Sequence, residues 1–256
     1  MVPHQLRPNA DVADGALLCG SRVYHISIHH GRYAAVYLLP VLAMSEANDL
    51  TAKRSNSEAV QQRSGLPTLV GITGGIGSGK STIAAELSKR GFPVYDTDRE
   101  AKRIIVHNPA VRSQVETLFG SDIFDGDTYL THKVAAQVFA DPDLLLRLNR
   151  IVHPAVKFDL EHWAKDKPLC FVESAILFES GLQELCDKTV YVDAPEELRI
   201  ARTVARDHSN PEQVRARIQA QNNDARRLAD IVINNDGSRT IAELADQLLS
   251  PLASNL

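Results

Sequence analysis

Apolar residues along the 256-residue chain change their spacing once. Up to about residue 66 they follow no sustained period, and Ser45 to Gly65 is a polar run. Residues 1–66 therefore read as an N-terminal extension, disordered or lying ahead of a natural start, for which Met44 is a candidate. From Thr68 onward, short β-branched runs alternate with stretches of helical spacing, the pattern of a parallel sheet with crossover helices. Five runs read as strands: Leu69–Thr73, Phe92–Tyr95, Cys170–Glu173, Thr189–Asp193 and Asp230–Ile233. About 70 residues separate the second from the third. Within them Val138, Leu144, Leu145, Leu148, Ile151, Val152, Val156, Leu160 and Trp163 recur at helical intervals. That is too much chain for a simple crossover and predicts a helical insertion over about 106–166. His153-Pro154 reads there as a helix start, with proline in the first turn. A second helical region, Pro195 to Arg227, carries seven arginines between the fourth and fifth strands. The expected domain spans 67–250, with core segments 67–105 and 167–250.

Composition narrows the function classes. With 44% hydrophobic residues the chain can bury a sizeable core. A formal charge of −4 speaks against a broad basic surface for nucleic acid. Cys19, Cys170 and Cys186 show no CxxC or Cys/His metal spacing, as expected of a reducing compartment without a disulfide framework. The longest apolar run, Tyr33 to Met44, is shorter than the roughly 18 residues of a membrane span, and it lies too late in the chain for a signal peptide. The expectation is a cytoplasmic monomer or small homo-oligomer with neither membrane nor nucleic acid as partner.

Gly74-Gly75-Ile76-Gly77-Ser78-Gly79-Lys80-Ser81 satisfies G-x-x-x-x-G-K-[ST] and lies between a predicted strand and a predicted helix. Closely spaced glycines free the backbone to wrap an anion, so that successive N–H groups of residues 75–82 can point at one phosphate chain. The helix that follows adds its positive N-terminal end. Gly75, Ile76, Gly77, Ser78 and Gly79 are thus candidate ATP-binding residues, joined by Lys80 at the β- and γ-phosphates and Thr82 at the α-phosphate. The Ser81 hydroxyl would hold Mg²⁺. A dinucleotide fold is disfavoured, since the spacing is not G-x-G-x-x-G. The fold class is then α/β, a three-layer P-loop NTPase fold with a five-stranded parallel sheet.

A phosphate loop leaves the reaction open. The second strand runs into Asp96-Thr97-Asp98, and in a parallel sheet the carboxyl ends of neighbouring strands open onto one crevice. Asp98 can there accept the proton of an attacking hydroxyl, and Asp96 can order water around Mg²⁺. Either residue alternatively serves as a helix N-cap. Glu173 ends the third strand as a candidate magnesium helper or as a plain solvated carboxylate. Arg199, Arg202 and Arg206 share one helical face. That face suits either a lid closing over phosphates or a basic surface paired with Glu196, Glu197 and Asp207.

These motifs, in this order, resemble the dephospho-CoA kinase family over about 180 residues from Leu69 to Leu249. The resemblance rests on LVGITGGIGSGKST, Tyr95-Asp96-Thr97-Asp98, Val152-His153-Pro154 and Leu177-Phe178-Glu179-Ser180-Gly181. It continues with the Arg202–Asp207 stretch, Gln221, and Ala229-Asp230 leading to Asn235-Asp236-Gly237. It implies ATP-dependent phosphorylation of the ribose 3′-hydroxyl of dephospho-CoA, with CoA and ADP as products. It also implies Asp98 as catalytic aspartate, the helical insertion as acceptor-binding domain, Arg202 and Arg206 as lid residues, and Asn235 in the adenine-side loop. The chain departs from the family pattern at Ala175–Glu179, often Pro-Leu-Leu-Phe-Glu, and near Thr131-His132, where an acidic–Arg pair is frequent; no acceptor contact is assigned there. The alternative is another small-molecule kinase, such as a nucleoside monophosphate kinase. A GTPase switch is disfavoured because no Asn-Lys-x-Asp motif occurs.

Overall fold

The structure is a computed structural model that describes residues 13–19, 22–28, 68–221 and 224–252. Strands β1 (Ala13–Cys19) and β2 (Arg22–Ile28) pair as an antiparallel hairpin. The predicted extension over residues 1–66 thus contains paired strands that its apolar spacing did not reveal. The rest of it, including Met44, lies outside the described residues.

Beyond it, chain order follows the predicted alternation. β3 (Thr68–Gly74) leads through the glycine loop into α1 (Lys80–Lys89), and β4 (Val94–Asp96) into α2 (Thr97–His107). Next come α3 (Pro109–Phe119), a short antiparallel pair β5 (Phe124–Asp125) and β6 (Thr128–Tyr129), α4 (Thr131–Ala140) and α5 (Pro142–Ala164). β7 (Leu169–Glu173) and β8 (Lys188–Asp193) follow, then α6 (Glu196–Asp207), α7 (Pro211–Ala220) and α8 (Asp224–Leu228). β9 (Ile231–Asn234) and α9 (Ile241–Leu249) complete the fold.

Strands β4-β7-β3-β8-β9 form one parallel sheet in that order. Alternating side chains of β3 face opposite ways. Val70 and Ile72, with Phe171, Val190 and Val192, pack against Ile83 and Leu87 of α1 and Leu244 and Leu248 of α9. Leu69, with Tyr95, Cys170 and Val172, packs against α2–α5 through Ile104, Val115, Val134, Val138, Val152 and Leu160. The helices between β4 and β7 therefore share their core with the sheet. A third cluster joins Ile76 of the glycine loop to Ile200 of α6 and Val214 and Ile218 of α7.

Two local readings change. The run of helical spacing is interrupted at Asp141, whose carboxylate caps α5 by accepting from the Asp143 amide, with Pro142 at the first position. And Pro154 does not start a helix: it lies inside the 23-residue α5. Proline there lacks the N–H that would reach the carbonyl of Arg150. Buried Val152, Val156 and Leu160 nevertheless tie both sides of the gap to the same core, so packing carries the helix through it.

Candidate active site

Register places the chemistry at one edge of the sheet. Ile72 and Asp96 both pair with Glu173, Gly74 pairs with Val192, and Asp193 pairs with Asn234. The carboxyl ends of all five strands therefore finish together, beside the glycine loop and the N-terminus of α1.

The loop's shape demands glycine where its backbone turns left-handed against a neighbour. Gly77 has φ 72°, and a Cβ there would stand 2.3 Å from the Arg199 carbonyl oxygen. Gly79 has φ 95°, and its Cβ would stand 2.3 Å from the Asn235 side-chain nitrogen. Neighbouring side chains grip the loop from outside. Arg199, 8% exposed, donates from Nε to the Ile76 carbonyl (2.8 Å) and from Nη2 to Gln221 Oε1 (2.9 Å). The same Gln221 oxygen accepts from the Ile76 amide (2.8 Å). Asn235 donates to the Ser78 carbonyl (2.8 Å), while its own Oδ1 accepts from Arg202 Nη2 (3.0 Å). These bonds occupy carbonyls on the loop's outer side and fix its shape before any ligand arrives.

On the inner side stands a cluster of charges. Ser81 Oγ donates to Glu173 Oε1 (3.1 Å), and Lys80 Nζ lies 3.7 Å from the same oxygen. Burial pushes the Glu173 carboxyl above the usual range, Lys80 and the Ser81 hydroxyl opposing and Asp98 and Asp96 adding to the shift. Asp96 accepts from the Arg99 amide (3.0 Å) and so is the N-cap of α2. Asp98, in the first turn of that helix, stands open to solvent at the floor of a cleft. The protein crowded around it still raises its carboxyl, opposed by Lys80 and Lys102, with Asp96 adding to the rise.

Two clefts meet at this cluster. One is lined by Gly77, Gly79, Lys80, Ser81, Thr82, Arg202, Arg206 and Asn235. The other encloses about 1060 Å³, a figure that includes the solvent at its open mouth. Its walls are mostly apolar, with Val134, Leu145, Leu148, Val152, Val156 and Leu182 among them. Asp98, Lys102, Thr131, Asn149 and His153 supply its polar groups.

The structure thus brings together nearly all the sequence-nominated residues. Arg206 reaches the first cleft while its guanidinium pairs with Asp207 (2.7 Å). Arg199, grouped with it on one helical face, is instead buried beneath the loop as a brace. Gln221, Lys102 and the apolar cleft lining went unassigned in sequence. Gln221 entered only as part of the family resemblance, and Lys102 stands four residues after Asp98 on one helical face.

Comparisons with known proteins converge. The family described as Dephospho-CoA kinase matches residues 68–240. A dephospho-CoA kinase from Porphyromonas gingivalis is 46% identical over 154 residues, covering 59% of this chain and 76% of that protein. One from Chlorobaculum tepidum is 40% identical over 195 residues, covering 72% and 92%. Among solved structures, TT1252 from Thermus thermophilus superposes with a TM-score of 0.62 at 36% identity, covering 74% of this chain and 98% of that one. A dephospho-CoA kinase from Campylobacter jejuni, at 23% identity and a TM-score of 0.55 over 73% and 98%, shares the fold.

Proposed function

The chain belongs to the dephospho-CoA kinase family, and from that premise we propose how its residues divide the work. The reaction is ATP-dependent phosphorylation of the ribose 3′-hydroxyl of dephospho-CoA, giving CoA and ADP in the last step of CoA synthesis. One observation carries the assignment of roles: Asp98 opens onto the large apolar cleft at the sheet edge where Lys80 and Glu173 pair, near enough to Lys80 for that charge to oppose the rise of its carboxyl.

ATP lies along the loop, its phosphates met by the amides of Gly77, Gly79, Lys80 and Ser81 and by the Lys80 ammonium, which follows the charge that builds as the γ-phosphoryl leaves; the Ile76 and Ser78 amides are instead held by Gln221 and the Gly75 carbonyl. Arg202 and Arg206 compensate that charge from α6, and Asn235 holds the loop at the nucleotide side. Dephospho-CoA fills the apolar cleft with its 3′-hydroxyl at Asp98. As the oxygen attacks the γ-phosphorus, Asp98 takes the hydroxyl proton, the bond to the β-phosphate oxygen breaks, and ADP departs.

Among the described residues no cluster of three or more His, Cys, Asp or Glu side chains forms a metal site. That suits Mg²⁺ held largely by phosphate oxygens, with one hydroxyl from Ser81 and with Glu173 and Asp96 orienting its waters. Bound there, the cation would supply charge neutralisation at the β- and γ-phosphates. No helix among the described residues is long and apolar enough to cross a membrane. Dependence on ATP favours the cytoplasm as the compartment of the reaction.

A coupled assay with ATP, Mg²⁺ and dephospho-CoA tests the reading. Asp98→Asn is expected to lower turnover by about two to four orders of magnitude while ATP affinity stays near that of the parent chain. Undiminished turnover in that variant would remove Asp98 from the mechanism. Activity on a nucleoside monophosphate with none on dephospho-CoA would overturn the acceptor assignment.

A further inference from the structure

The large cleft lies between two helices: α2, which brings Asp98 and Ala101, and α5, which brings Leu148, Asn149, Val152 and Val156. Its width, and the approach of the α5 wall to Asp98, depend on how these helices are held to each other. They share one apolar core, in which Ile104 and Ile105 meet Val152, Val156 and Leu160. Burial of apolar area stabilises that packing without fixing its direction, because it changes little when one helix slides or turns slightly on the other.

A polar link across the same seam supplies direction. Tyr95, 1% exposed, precedes Asp96, the cap of α2. Its hydroxyl donates to Asp159 Oδ2 on α5 (2.7 Å), and its ring meets Trp163 of the same helix edge-on (centroids 5.3 Å apart, 65° between planes). The same Asp159 oxygen accepts from Arg103 Nη2 of α2 (2.7 Å), while Arg103 Nε donates to Glu100. A single carboxylate thus ties α5 both to the strand that leads into Asp98 and to the helix that bears it. The Arg103 side chain is half-exposed, so its ion pair alone is worth little; the buried hydroxyl, which has to find a partner, carries the link. Phenylalanine at 95 would serve packing equally well. Asp159 also follows Val152 by seven residues and Val156 by three, on one face of α5. A rotation of α5 that takes Asp159 off Tyr95 therefore swings the cleft wall relative to Asp98.

We propose that Asp159 is a positioning residue for the acceptor, acting chiefly through Tyr95: it holds the α5 wall at a set distance and rotation from Asp98 and so sets where the acceptor hydroxyl lies. The inference rests on the apolar cleft being the acceptor site. Nucleotide binding is spared, because β3, which leads into the phosphate loop, lies two strands from β4, and the loop is braced by Arg199 and Asn235 instead.

Initial rates on the full chain carrying Tyr95→Phe, Asp159→Leu, Asp159→Asn or Tyr95→Phe with Asp159→Leu test it. Tyr95→Phe removes one oxygen and leaves the ring against Trp163, so its folding is expected to survive whatever Asp159→Leu does. Dephospho-CoA KM at saturating ATP is expected to rise about fivefold in Tyr95→Phe and about tenfold in Asp159→Leu, with ATP KM within about twofold of the parent. The double variant should be no worse than Asp159→Leu, because two changes to one link do not add. Asp159→Asn, which keeps an oxygen for both donors, is expected within about threefold of the parent. Parent-like acceptor KM in Tyr95→Phe and Asp159→Leu, even with a lowered Tm, makes the link structural only and overturns the proposal; equal rises in both KM values, or full additivity in the double variant, overturn it too. Leu148→Ala run alongside separates the premise. Unchanged acceptor KM there removes the cleft as acceptor site and the proposal with it, whereas a raised KM there and none in the Tyr95 and Asp159 variants removes only Asp159.

Discussion

On the side of the site proposed for the nucleotide, the surface is largely main chain. Its shape depends on glycines at positive φ and on Arg199, Gln221 and Asn235 gripping carbonyls from behind. On the acceptor side the surface is side chain: residues of α2, α4 and α5 form an apolar wall around a few polar groups. A backbone cradle tolerates almost no change in the chain that forms it, because its donors are held by conformation. An apolar wall is graded, since each side chain contributes area and none is indispensable.

The contrast is open to a direct attack from the nucleotide side. Gly77→Ala puts a methyl against the Arg199 carbonyl at a left-handed φ, so either the loop or α6 must move. ATP affinity is expected to fall by about a hundredfold or more, with dephospho-CoA binding measured by calorimetry without nucleotide changing less than about threefold. Comparable losses on both sides would show that the clefts are not independent.

Leu148→Ala probes the other half. Leu148 lines the apolar cleft and is only partly buried in the core, so its truncation removes contact area without hollowing the fold. The expected result is an acceptor KM raised by about tenfold, corresponding to roughly 1–2 kcal/mol of lost apolar contact, at unchanged ATP KM. A raised ATP KM would deny the division.

The smallest effect lies at the junction. Glu173, 7% exposed, has its carboxyl raised in the folded state, so folding takes up a proton between the ordinary carboxylate range and that raised value. Stability of the nucleotide-free protein must then fall as pH rises through this window. Glu173→Gln removes the contribution. The difference in Tm between parent and variant should shift by about 2–4 °C across the window, measured by calorimetry without nucleotide. An unchanged difference would mean that Lys80 offsets the cost of burying Glu173.

The fold was legible where local pattern and tertiary role coincide. All five sheet strands were readable within a residue or two: the central β7, β3 and β8 are apolar runs buried on both faces, while the edge strands β4 and β9 are only partly buried. The β5–β6 pair was missed, although Asp125-Gly126 between Phe124 and Thr128 is a hairpin signal; strands of two residues give alternation no room to show. α5 was misread at Pro154 because proline's local penalty is visible in sequence, while the packing that outweighs it is not. At the candidate site, the glycine loop, Lys80, Ser81 and Asp98, to which roles are proposed, were nominated by spacing alone. Arg199 was not: as one of several arginines on a helix it looked like its neighbours, and only its burial against Ile76 and Gln221 distinguishes it.

By itself, then, the sequence determined the glycine loop and the strands along the chain that lead to it, since both are consequences of local chain conformation: glycine where φ must be positive, apolar and β-branched runs where a strand is buried. Only the tertiary structure decided the apolar cleft and the meeting of Glu173 with Lys80 and Ser81 beside the first turn of α2. Those depend on which helix faces meet across the sheet edge, and charges brought together from β4, β7, α1 and α2 interact through distances that no spacing along the chain encodes.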